Sequence, residues 1–178
     1  MNHRTLPAGY RPREVMDFVR NRRQMKIVCF GALAATLIMV ALGLIFRPVA
    51  PSWQFLCENP WAWAALAGML IAYIPLHELT HGALMRLLSG VRPKYGFSLC
   101  YAYAGSTVWF DRRSHAIIAL APLILWGAVL AVLERTLPDA WFWLIYLVQI
   151  SNVSGSAGDV YCVVHLRKLP RDILIQDT

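Results

Sequence analysis

Residues Trp61–Leu88 read WAWAALAGMLIAYIPLHELTHGALMRLL, an apolar stretch interrupted by His77, Glu78 and His81. A helix rises about 1.5 Å per residue, so about 20 apolar residues cross a hydrocarbon core of about 30 Å. The stretch is long enough to span a bilayer, and it carries ionisable groups inside. Each such group costs at least about 2.5–3.5 kcal/mol on insertion scales, so these three need partners. Their order, His77-Glu78-Leu79-Thr80-His81, is H-E-x-x-H. Residues four apart lie on one helical face, which lets both imidazoles reach one metal ion. Glu78 projects about a third of a turn away, close enough to serve as general base toward a water that the ion activates.

Outward from this stretch, the composition repeats the message. The chain is 58% hydrophobic and 15% charged, and its mean hydropathy is +0.49. Soluble domains carry about 25% charge. Further apolar runs cover Ile27–Phe46, His115–Leu133 and Trp141–Leu166. The expected fold is an all-α polytopic membrane protein of four transmembrane helices, at about 27–46, 61–88, 115–133 and 141–166. A basic tail (1–26) precedes the single membrane domain (27–166), and a short tail (167–178) follows it. A cleaved secretory signal is the rival reading of the first run. The long basic leader, the full-length apolar run and Pro51 directly after Ala50 argue for an uncleaved span. Trp53, Trp61, Trp63, Trp141 and Trp143 gather at one set of span ends, as an interfacial belt does.

Seven of the 17 Lys and Arg residues lie in the amino-terminal tail, five between Arg86 and Arg113, and three after Leu166. Only Arg47 and Arg135 lie in the opposite loops. The positive-inside rule therefore places both tails in the cytoplasm. The net charge of +7 is a topology signal and forms no surface for reading nucleic acid. Cys29, Cys57, Cys100 and Cys162 are scattered, with no C-x-x-C pair, and read as apolar fillers.

The loop Ser89–Arg113 alternates Tyr95, Phe97, Leu99, Tyr101 and Tyr103 with smaller residues. A period of two predicts a strand. Ala104-Gly105-Ser106 would turn it back into a return strand at Thr107–Phe110, making a hairpin between the second and third spans.

A catalytic zinc needs a third protein ligand. Of the ten acidic residues, only Glu78 and Asp159 sit well inside spans. Counted from the outer ends at Trp61 and Trp141, His77 lies roughly 24 Å deep, His81 roughly 30 Å and Asp159 roughly 27 Å. Depth therefore selects Asp159. His165, beside Arg167 and Lys168, reads as interfacial, and His115 and His3 as solvated. Asn152 lies on the Asp159 face, two turns outward. It would hydrogen-bond an activated water or a substrate backbone, or else join helices together. The small residues from Ser151 to Gly158 suit close helix packing, with a loosened helix as the alternative. Pro75 predicts a kink ahead of His77. Tyr73, Trp109 and Trp126 read as packing or anchoring residues.

HELTHG at 77–82, PKYGF at 93–97, YAYAG at 101–105, Ala121-Pro122-Leu123 and the N-x-x-G-S-x-G-D of Asn152–Asp159 resemble the putative zincin peptidases, small and mostly bacterial membrane proteins. The resemblance covers roughly Trp61 to Leu166. The order of spans is more distantly similar to site-2 intramembrane proteases. That likeness implies His77, His81 and Asp159 as ligands of one zinc per chain and Glu78 as base. The chain departs from those proteases in lacking Asn-Pro before the aspartate and Gly after it. The expected function is hydrolysis of peptide bonds in membrane or membrane-proximal substrates near the cytoplasmic face of a bacterial cell membrane. A metal-binding scaffold without turnover is the alternative.

Overall fold

The computed structural model of the chain describes residues 2–11, 16, 21–98 and 101–177. These are mostly helical: α1 (Arg22–Phe46), α2 (Ala50–Glu58), α3 (Trp61–Ser89), β1 (Lys94–Ser98), β2 (Tyr101–Gly105), β3 (Trp109–Asp111), α4 (Arg112–Thr136), α5 (Phe142–Gly155), α6 (Ala157–Leu166) and β4 (Leu174–Gln176). Helix ends follow local chemistry. The Asn21 side chain accepts from the N–H groups of Arg23 and Gln24 at the start of α1. Asp111 caps α4 through the N–H of Ser114 at 2.8 Å. Gly90 closes α3 at φ 69°, a left-handed conformation that suits glycine.

Three helices, α1, α3 and α4, are long and apolar enough to cross a membrane. Their outer faces expose Phe30, Ile45, Phe46, Ile71, Leu87, Ile124 and Val132, which no other described residue covers. Apolar exposure on this scale is foreign to a monomer in water and natural in lipid.

The run expected as a fourth span is divided in two. α5 ends at Gly155 and α6 begins at Ala157, with Ser156 between them. The Ser156 hydroxyl donates to the carbonyl of Asn152 at 2.9 Å, beside its own N–H at 3.2 Å. The close packing expected at Gly155 and Gly158 is not found, since a Cβ at either would meet no neighbouring atom within 4 Å. The glycines sit where the helix breaks. The break puts Asp159 in the first turn of a new helix, whose amino-terminal dipole favours a carboxylate.

The core consists of small apolar clusters strung along the helices. Leu56, Ala62, Leu66 and Leu144 form one, and Tyr73, Leu130, Ile145 and Val148 a second. Met85, Val108, Phe110 and Ile118 form a third beneath the loop. α1 docks separately, on Trp143, Tyr146 and Ile150 of α5. Its Gly43 lies so close to the rings of Tyr146 and Trp143 that a Cβ there would overlap both.

The hairpin exists, with its turn elsewhere. β1 and β2 pair antiparallel with Ser98 opposite Tyr101. Residues 99 and 100, which separate the two strands and include Cys100, lie outside the described residues, and Ala104 and Gly105, expected in the turn, belong to β2. The sequence alternates without a break from Tyr95 to Tyr103, so periodicity does not separate the two strands. The return strand expected at Thr107–Phe110 overlaps β3, which pairs instead with β4 from the far end of the chain.

Candidate metal centre

His77 and His81 stand one turn apart on α3, and Asp159 reaches them from α6. The His77 Nε2 is 3.1 Å from the His81 Nε2 and 3.4 Å from an Asp159 oxygen. The His81 Nε2 is 3.7 Å from the other Asp159 oxygen. One donor atom from each residue lies within 4.8 Å of the others. The three residues chosen by motif and depth converge as expected.

Each imidazole has its outer nitrogen fixed. The His81 Nδ1 lies 2.9 Å from the carbonyl of Ile118 on α4. A carbonyl only accepts, so Nδ1 carries the hydrogen and the Nε2 lone pair faces His77 and Asp159. That carbonyl would ordinarily accept from the N–H of residue 122. Residue 122 is proline and has none, so the helix itself frees the acceptor that His81 uses.

His77 is fixed by a longer chain. Its Nδ1 is 2.9 Å from the Tyr73 hydroxyl, which donates to Asn152 Oδ1 at 2.7 Å. A hydroxyl that donates onward accepts from His77, so this imidazole also carries its hydrogen on Nδ1. Asn152 is fully buried and is held in turn by donation from its Nδ2 to the Leu123 carbonyl at 3.2 Å. Asn152 thus orients His77 through Tyr73.

Two aromatic residues read as packing are therefore part of the frame. Tyr73 sits four residues before His77, the spacing that puts a hydroxyl beside an imidazole on one helical face. Trp126 donates from Nε1 to the Thr80 hydroxyl inside the motif at 3.1 Å, tying α4 to α3.

The donor set fits a zinc ion. Two neutral imidazoles offer Nε2, a carboxylate balances charge, and hydrogen-bond acceptors orient the rings from behind, as ligating histidines require. Glu78 is half-buried, next to His77 on α3, and the backbone N–H of Ala104 in β2 faces its carboxylate. β2 therefore turns an edge toward this residue. Gly82 makes that approach possible, since a Cβ there would overlap the Tyr95 side chain of β1.

The other histidines lie outside the centre. His165 stacks on Tyr161 with ring centroids 5.7 Å apart. His115, expected to be solvated, is buried, with its Nε2 4.0 Å from an Asp177 oxygen. β4 pairs with β3 and also touches α4, which brings Asp177, the residue after it, to this histidine. His3 pairs with Trp109 along the opposite edge of β3. α3 runs as one helix from Trp61 to Ser89 with Pro75 inside it.

No solved structure matches the chain. It is similar to an uncharacterized 24.7 kDa protein of Pyrococcus woesei, with 29% identity over 113 residues. The match takes in 61% of this chain and 49% of the relative, so the chain spans about half the length of the curated protein it matches. The sequence profile of the putative zincin peptidases matches residues 70–174, a stretch that contains all three converging side chains, Glu78 and the hairpin. The chain therefore belongs to the putative zincin peptidase family.

Proposed function

We propose that the protein is a membrane-embedded zinc metallopeptidase that hydrolyses peptide bonds of membrane or membrane-proximal substrates near the cytoplasmic face, with four spans and both tails cytoplasmic. The observation that carries this reading is the convergence of two tautomer-fixed Nε2 atoms and a carboxylate, with Glu78 next to His77 on the same helix.

His77, His81 and Asp159 would hold the ion, which supplies Lewis acidity toward a carbonyl and lowers the pKa of a water. Glu78 takes a proton from the attacking water as its oxygen bonds to the scissile carbonyl carbon. As the C–N bond breaks, Glu78 returns that proton to the leaving amine. The edge of β2 beside Glu78 offers backbone groups to an extended substrate segment, and strand addition there would lay the scissile bond across the centre. A helical substrate must unwind first, because its own hydrogen bonds occupy the same groups.

The test compares membrane proteomes of cells carrying wild type and Glu78→Gln. Substrates should accumulate uncut in the variant while its zinc content stays normal. Normal processing by Glu78→Gln would leave the metal-binding scaffold as the better reading.

A further inference from the structure

At one end of the helices, α1 and α6 border an open cavity of about 500 Å³, lined by residues of neither the motif nor the hairpin. Its polar wall carries Arg23 and Lys168, and no acidic side chain among the described residues lines it. Its apolar wall carries Ile27 and Val164, both exposed. Between them lies Gln24, only 8% exposed, whose Oε1 has no hydrogen-bond partner among the described residues. A buried acceptor without a donor is costly, and the residue that carries it is part of the cavity wall.

The cavity also lies at a chemical boundary. α1 changes there from Arg22, Arg23 and Lys26 to the uncharged run that begins at Ile27. α6 ends there, and Arg167 and Lys168 follow. Cations on one side and exposed aliphatic residues on the other, along both helices, match the level where a lipid phosphate meets its acyl chains.

We propose that this cavity binds one anionic phospholipid. Its phosphodiester lies between Arg23 and Lys168, a hydroxyl of its head group donates to Gln24 Oε1, and an acyl chain runs along Ile27 and Val164. The inference rests on the membrane-embedded reading of the chain and is independent of peptidase activity.

Native mass spectrometry of the full chain in detergent tests it, with phosphatidylglycerol, phosphatidylmethanol, phosphatidylcholine or inorganic phosphate as probes. Wild type should retain one phosphatidylglycerol and prefer it to phosphatidylmethanol, which has no head-group hydroxyl. Arg23→Gln with Lys168→Gln should weaken binding about 10- to 30-fold, given two lost cations near the surface. Arg22→Gln with Arg171→Gln removes the same charge outside the cavity and should weaken it less than about threefold on the same basis. Gln24→Leu should keep binding and lose the preference for phosphatidylglycerol. Equal weakening by the two double variants would make the attraction diffuse and overturn the site. Equal binding of phosphatidylcholine, or displacement by inorganic phosphate at matched concentration, would overturn the lipid assignment. An unchanged head-group preference in Gln24→Leu would overturn the role of its amide.

Discussion

The Ile118 carbonyl accepts a 2.9 Å hydrogen bond from His81 Nδ1 and is free to do so because Pro122 offers no N–H to it. A helix defect in one span thereby fixes the tautomer of a candidate ligand in another. Groups that orient ligating histidines typically carry about 10–100-fold of metal affinity.

Pro122→Ala tests that relationship. The new N–H would compete with His81 for the Ile118 carbonyl. Zinc affinity, measured by chelator competition on purified protein, should fall about 10-fold, at the lower end of such effects, because the carbonyl remains in place. Unchanged affinity would mean that the proline only packs.

Tyr73→Phe should cost more. It removes the group between His77 and Asn152 and leaves a buried Nδ1–H and a buried Oδ1 without partners. A loss of affinity of about 10–100-fold is expected, together with lower thermal stability of the metal-free protein. Asn152→Ala should lower affinity by less, since the Tyr73 hydroxyl would still accept from His77.

Much of this centre was legible in the sequence, and the reason is physical. Charged groups in an apolar run are costly, so few occur, and depth alone pairs Asp159 with His77 and His81. The orienting groups were not legible. Tyr73 looks like any membrane-helix aromatic, and a backbone carbonyl leaves no trace in sequence except the proline that frees it. The fourth run showed its length but not its break at Ser156, because hydropathy is blind to a change of helix within an apolar segment. The division of the loop into β1 and β2 was not legible because alternation runs unbroken from Tyr95 to Tyr103, and the pairing of β3 with β4 joins segments more than 60 residues apart.

Gly43 offers a test of the packing, away from the centre. Gly43→Val would drive a branched side chain into the rings of Tyr146 and Trp143. Thermal unfolding in detergent should show a loss of about 1–3 kcal/mol, typical of overpacking, with α1 displaced. Zinc binding at saturating metal should persist, because α1 supplies none of the converging side chains.

Glu78→Gln separates holding the ion from using it. Zinc content should match wild type, while cleavage of an identified substrate falls by about 10²–10⁴-fold, the range for a lost general base. Loss of zinc along with activity would instead make Glu78 a ligand.

X-ray absorption at the zinc edge, on purified Glu78→Gln protein loaded with one equivalent of zinc, tests the centre most directly. It should show two imidazole nitrogens and further oxygen donors with no sulfur, and one imidazole should disappear in the additional variants His77→Ala and His81→Ala. A sulfur shell, or a spectrum unchanged by removing either histidine or Asp159, would contradict the account.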